Sequence, residues 1–143
     1  MAKVIENTSI ARHNAEALII GSMDDFSQTE QDWLKQTYPG AAEFLAELAA
    51  DTDWTLGRVY PMEFGEKKVV FVQICRDGKP TYEGVRDCIK KISENTKKIG
   101  AKHFAMGRLG CGDGKLHIGA LEPVVAAAEG GKAMVDIYRG EGP

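Results

Sequence analysis

The 143-residue chain is 43% hydrophobic and 27% charged, the balance of one globular domain over 1–143 and not of a disordered or fibrous chain. No stretch approaches the run of about twenty apolar residues that crosses a bilayer, and the opening Met1-Ala-Lys-Val-Ile-Glu-Asn7 lacks the apolar centre of a secretory signal, so a cytoplasmic chain without membrane association is expected. A net charge of -3 gives no global attraction to nucleic acid, and three cysteines without a CxxC spacing fit neither a disulfide framework nor a zinc site.

Ala15-Glu-Ala-Leu-Ile-Ile20 is an apolar run ended by Gly21 and reads as a buried strand, with a polar loop after it. Ser27-Gln-Thr-Glu30 matches a capping box: the hydroxyl takes the amide three residues on while the carboxylate reaches back, which predicts a helix to Thr37. Tyr38-Pro39-Gly40 breaks it. Ala41, Phe44, Leu45 and Leu48 then share one face of a second helix that stops near Asp51. Trp54 to Tyr60 reads as extended. Lys67-Lys-Val-Val-Phe-Val-Gln-Ile74 is a continuous β-branched and aromatic run, expected to lie centrally in a sheet with both faces covered. From Thr81, helical spacing aligns Val85, Cys88, Ile89 and Ile92 opposite Lys90, Lys91, Lys97 and Lys98, and Gly100 ends the helix.

Lys102 to Met106 is a short strand. After a glycine-rich loop, Leu121, Val124, Val125 and Ala128 mark a helix ended by Gly130-Gly131, and Lys132 to Tyr138 closes as a strand. The tail from Arg139 to Pro143 lacks apolar anchors and is expected to be loose. This alternation is the pattern of a mainly parallel sheet with helices on both faces, in which ligands bind beyond the carboxyl ends of the strands.

The glycine loop lies at such an end. Gly107-Arg-Leu-Gly-Cys-Gly-Asp-Gly114 has four glycines in eight residues, so its backbone can turn sharply and present amides to an anion such as a diphosphate. By spacing alone a plain flexible connection is an equal reading, and neither a Walker loop nor a GxGxxG fingerprint is present.

Lys79-Pro-Thr-Tyr-Glu83, the helix after it, Ala105-Met-Gly-Arg-Leu-Gly-Cys-Gly112 and Val135-Asp-Ile-Tyr138 resemble, in order and nearly in spacing, the back half of macro domains. The similarity covers residues 67 to 139 and is nearest to the terminal ADP-ribose protein glycohydrolase-like subgroup, which removes ADP-ribose from acidic side chains, with its yeast relatives acting on ADP-ribose 1''-phosphate. The resemblance implies an α/β fold, a three-layer α/β/α macro domain with a central mixed, mainly parallel sheet. It implies ADP-ribose or an ADP-ribosylated substrate as partner; a monomer without a cofactor is expected.

Gly110, Cys111 and Gly112 carry over to phosphate binding, with Arg108, Leu109 and Gly114 in the same loop. Tyr138 matches an aromatic position beside the adenine, where a ring can stack on the base; capping the core is its alternative role. Asn7 stands near the place of an acid that takes the adenine amino group, and its amide oxygen can accept that bond. Asp113 is the catalytic candidate, positioning a water or taking its proton.

Two departures bear on mechanism. The subgroup's attacking lysine follows the central strand, whereas here Ile74-Cys-Arg-Asp-Gly78 is two residues shorter with no lysine before Lys79, so covalent lysine catalysis is not expected. The small-residue loop that wraps the distal ribose is replaced by Gly21-Ser-Met-Asp-Asp-Phe-Ser-Gln28, where Asp24, Asp25 and Phe26 make a bulkier, more acidic wall. The acids are expected to be simply solvated. Cys75 and Cys111 lie near strand ends as weaker nucleophile candidates, and His13, His103 and His117 have no metal-ligand spacing. Hydrolysis of ADP-ribose derivatives is thus the leading expectation, a non-catalytic ADP-ribose module the second, and an interaction scaffold with a closed pocket the third.

Overall fold

The computed structural model describes residues 2–111 and 116–140. In chain order the elements are β1 (Lys3–Ile5), β2 (Ala17–Ile20), α1 (Gln28–Thr37), α2 (Ala41–Ala49), β3 (Val59–Phe64), β4 (Lys67–Val72), β5 (Cys75–Arg76), β6 (Lys79–Pro80), α3 (Tyr82–Glu94), α4 (Thr96–Ile99), β7 (His103–Met106), α5 (Ile118–Glu129) and β8 (Met134–Tyr138). Six strands form one sheet in the order β1-β8-β7-β2-β4-β3, and β5 pairs with β6 as a separate hairpin. All pairings in the large sheet are parallel except that of β3 with β4.

Alternation along each strand divides the core between two faces. Ala17, Ile19, Val70, Val72, Phe104, Met106, Val135 and Ile137 pack on one side with Val85, Ile89 and Ile92 of α3 and Leu121 and Val125 of α5. Leu18, Ile20, Val69, Phe71 and Ala105 pack on the other with Leu34 of α1 and Leu45 and Leu48 of α2. The result is the expected three layers. Both helices of the second face start as their sequences dictate: Ser27 and Glu30 form a complete capping box, and Gly40 enters α2 with φ of 91°.

Several expectations need correction. The Trp54–Tyr60 segment is a turn that only becomes strand at Val59, and the strand runs on to Phe64. Pro61 is tolerated there because β3 is an edge strand. The Lys67 strand is buried from Val69 to Val72, yet it lies one strand in from the edge, between β2 and β3, rather than at the centre. Asn95 interrupts the long helix into α3 and α4. The tail is tied at its start, since Arg139 donates its amide to Ile5 at 3.0 Å, pairs with Glu6 at 3.2 Å, and is followed by a bridge from Gly140 to Thr8.

Candidate functional site

Because β1, β2, β4, β7 and β8 are mutually parallel, their carboxyl ends share one edge of the sheet. Neighbours β2 and β7 send their connections to opposite faces: β2 leads to α1 and β7 to α5, which belong to different core clusters. The diverging loops leave a crevice between them, the place where open α/β sheets take ligands.

Gly107 to Cys111, the described part of the glycine loop, form one wall and are fixed by packing. Leu109 is 2% exposed and reaches under the crevice into the core. Gly110 has φ of 78°, and a Cβ there would lie 2.5 Å from Leu116 Cδ1 and 3.1 Å from Pro80 Cβ, so only glycine fits. Leu109 donates its amide to Gly107 O and Cys111 to Arg108 O, each at 2.9 Å. The Gly110 amide leaves the loop and is taken by Asp25 Oδ1 at 3.0 Å.

The opposite wall holds that carboxylate in place. A single turn at Met23–Asp25 is capped by the Ser22 hydroxyl, which accepts from the Asp24 amide at 3.2 Å, and is closed by the Phe26 amide donating to Met23 O at 3.1 Å. Phe26 is buried and its ring lies against Gly107, where an added Cβ would come within 3.1 Å of it. Asp24 is exposed as expected, but Asp25 is 6% exposed. The expectation that both acids are solvated is therefore wrong for Asp25, whose partner amide is supplied by the glycine loop.

Between the walls is a cavity of about 150 Å3 lined by Gly21, Ser22, Asp25, Cys75, Pro80 and Gly110 among others. It shares Gly21, Ser22, Asp24, Cys75 and Gly78 with a larger cleft of about 830 Å3 that opens toward α2 and Trp54. Arg76 is the cation of that lining and is paired with Glu83 at 2.6 Å. No lysine lines either cavity among the described residues, and Lys79 is exposed on β6.

No protein-family profile matches the chain and no curated protein matches its sequence. Solved structures do. The macrodomain of Mycobacterium tuberculosis DarG superposes with a TM-score of 0.74 at 15% identity, over 96% of this chain and 97% of that one. The macrodomain of Thermus aquaticus DarG gives 0.71 at 14%, over 97% and 98%. Thermosipho africanus DarTG in complex with ADP-ribose gives 0.70 at 17%, over 95% of this chain and 41% of that one. The chain has the macrodomain fold.

On this macrodomain fold the residues singled out in the sequence occupy the carboxyl edge in unequal ways. Gly110 and Leu109 shape the crevice, the first with its backbone and the second from below. Arg108 is exposed and lines a separate depression of about 180 Å3 with Ser9, Ser27, Glu30 and Gly140. Asn7 is exposed in the turn after β1 with φ of 51°, a left-handed conformation that asparagine tolerates. Tyr138 is 6% exposed and packed with Ile10, Phe26 and Leu34; burial, then Asp136, pushes its hydroxyl above the ordinary tyrosine value. The ring thus belongs to the core at the last residue of β8. Gly112, Asp113 and Gly114 lie outside the described residues.

Neither Cys111 nor Cys88 is activated. Burial first and the nearby Asp25 second push the Cys111 thiol up, outweighing Arg108. Cys88 is pushed up to about 12 by burial, its Sγ lying 3.3 Å from Gln73 O. Asp25 is the participant that sequence reasoning missed as a site residue; Tyr82 lines neither cavity and instead braces the chain entering α5, its hydroxyl accepting from the His117 amide at 2.9 Å.

Proposed function

We propose that this chain binds ADP-ribose or a derivative in the crevice between the loops after β2 and β7, and hydrolyses it without a covalent lysine. One observation carries the reading: at the shared carboxyl edge the loops after β2 and β7 part to opposite faces, and adjoining cavities of about 150 and 830 Å3 lie there, room for a ligand of nucleotide size. The macrodomain fold supports it, as does the DarTG structure of the same fold whose ligand is ADP-ribose. The hydrolytic half rests on the resemblance of the Gly107–Gly114 loop. Asp113 would take a proton from water as the water oxygen bonds to the anomeric carbon of the distal ribose and the acid of the substrate leaves.

A second reading, a macrodomain that captures ADP-ribose without cleaving it, is favoured by there being no lysine among the described residues that line either cavity. Calorimetric titration with ADP-ribose followed by overnight incubation with an ADP-ribosylated protein separates the two. Binding with release supports hydrolysis, and Asp113→Asn should then abolish release at nearly unchanged affinity. Binding without release leaves the capture module, and no binding removes both.

A further inference from the structure

We propose that Asp25 is a specificity-determining residue that acts as a built-in competitor: its carboxylate occupies the anion position on the Gly110 amide, so a phosphate oxygen enters that position only against the charge of the chain's own side chain. The inference rests on reading the crevice as a site for a phosphate-bearing ligand.

Three features place the charge there and hold it. The Oδ1–N distance is 3.0 Å across 85 residues of sequence. Asp25 and Gly110 line the same small cavity. The turn that carries Asp25 is capped at one end by Ser22 and fastened at the other by Phe26 against Gly107, so the side chain is part of the wall and not a swinging loop residue. The rise of the Cys111 thiol in the field of Asp25 agrees with a carboxylate close to this loop.

A donor amide and an anionic ligand oxygen must approach to about 3 Å to bond. Asp25 Oδ1 already stands at that distance, so an incoming phosphate oxygen would have to share the amide with a like charge or displace it. Like charges brought that close in a partly desolvated crevice repel strongly. A neutral hydroxyl meets the opposite situation, because it can donate to the same carboxylate. The pocket therefore discriminates against anionic groups at Gly110 and in favour of hydroxyl-bearing ones.

The experiment uses the full chain as wild type, Asp25→Asn and Asp25→Ser, each titrated calorimetrically with pyrophosphate and separately with ADP-ribose. Asparagine keeps an acceptor for the Gly110 amide without the charge, and serine is neutral and too short to occupy the anion position; thermal melts check that each variant is folded. Both variants are expected to bind pyrophosphate at least tenfold more tightly than wild type, and ADP-ribose more tightly in step. Pyrophosphate affinity equal to wild type or weaker in the folded variants overturns the role of Asp25, and ADP-ribose binding alike to all three would then leave the ADP-ribose reading intact. A tenfold gain for pyrophosphate with ADP-ribose bound by none upholds the competitor and removes the ADP-ribose reading. Pyrophosphate binding by none of the three overturns the competitor.

Discussion

Gly110 joins two demands that no other residue meets, a φ of 78° and a Cβ position 2.5 Å from Leu116 Cδ1. Gly110→Ala must therefore shift either the loop or Leu116, which is 5% exposed and part of the core beneath. The expected cost is about 1–3 kcal/mol of folding stability in urea unfolding, together with loss of ADP-ribose binding because the amide is turned from the crevice. Unchanged stability and unchanged affinity would mean that the loop is not held as described. Gly110 was legible because its positive φ is a demand of the local turn. Asp25 was not, since a buried acid looks like any loop acid until the fold brings an amide from 85 residues away, and frequency favours the solvated reading.

At the level of elements, local signals were read best where a side chain closes its own backbone. Ser27 and Glu30 do so at α1, and Glu30 adds a bond that no pattern announces: its Oε2 also accepts from the Ser9 hydroxyl at 3.3 Å and the Ile10 amide at 3.4 Å, tying the helix start to the segment before β2. Thr81 does the same at α3. Its Oγ1 accepts from the Gly84 amide and donates to Ile74 O, each at 2.9 Å, so one hydroxyl caps the helix and fastens it to the chain leaving β4. The close fit continues at Gly84, where a Cβ would lie 2.4 Å from that same Ile74 carbonyl oxygen. Thr81→Ala should cost about 1–2 kcal/mol of stability, and Thr81→Ser should restore most of it because the hydroxyl returns. Equal losses for alanine and serine would assign the effect to the methyl group instead. The break at Asn95 escaped sequence reasoning for a related cause: Asn95 Nδ2 donates to Lys91 O at 2.7 Å, a local competition that leaves the apolar spacing of the helix untouched.

The order of the sheet was the least legible feature, because parallel partners are chosen by crossovers and not by neighbouring residues. β1 has three residues and is recognisable as a strand only through its pairing with β8. The segment that joins it to β2 yields a prediction for the stability of the molecule as a whole. His13 Nδ1 accepts from the Ala15 amide at 3.1 Å, and its ring meets Trp33 edge-on with centroids 6.0 Å apart. A protonated Nδ1 cannot accept. Burial first, then the charges of Lys67 and His103, hold His13 below its ordinary value of 6.5. The unfolded chain thus binds this proton at a higher pH than the folded one, so the contribution of neutral His13 is complete above about pH 6.5 and is lost as pH falls toward the depressed folded value. His13→Asn keeps an acceptor for the Ala15 amide and never charges. Urea unfolding from about pH 8 down to about pH 5 should show wild type losing stability relative to His13→Asn below about pH 6.5, with a constant difference above it. A difference that stays constant across the whole range would show that the proton reaches His13 as easily in the folded chain as in the unfolded one.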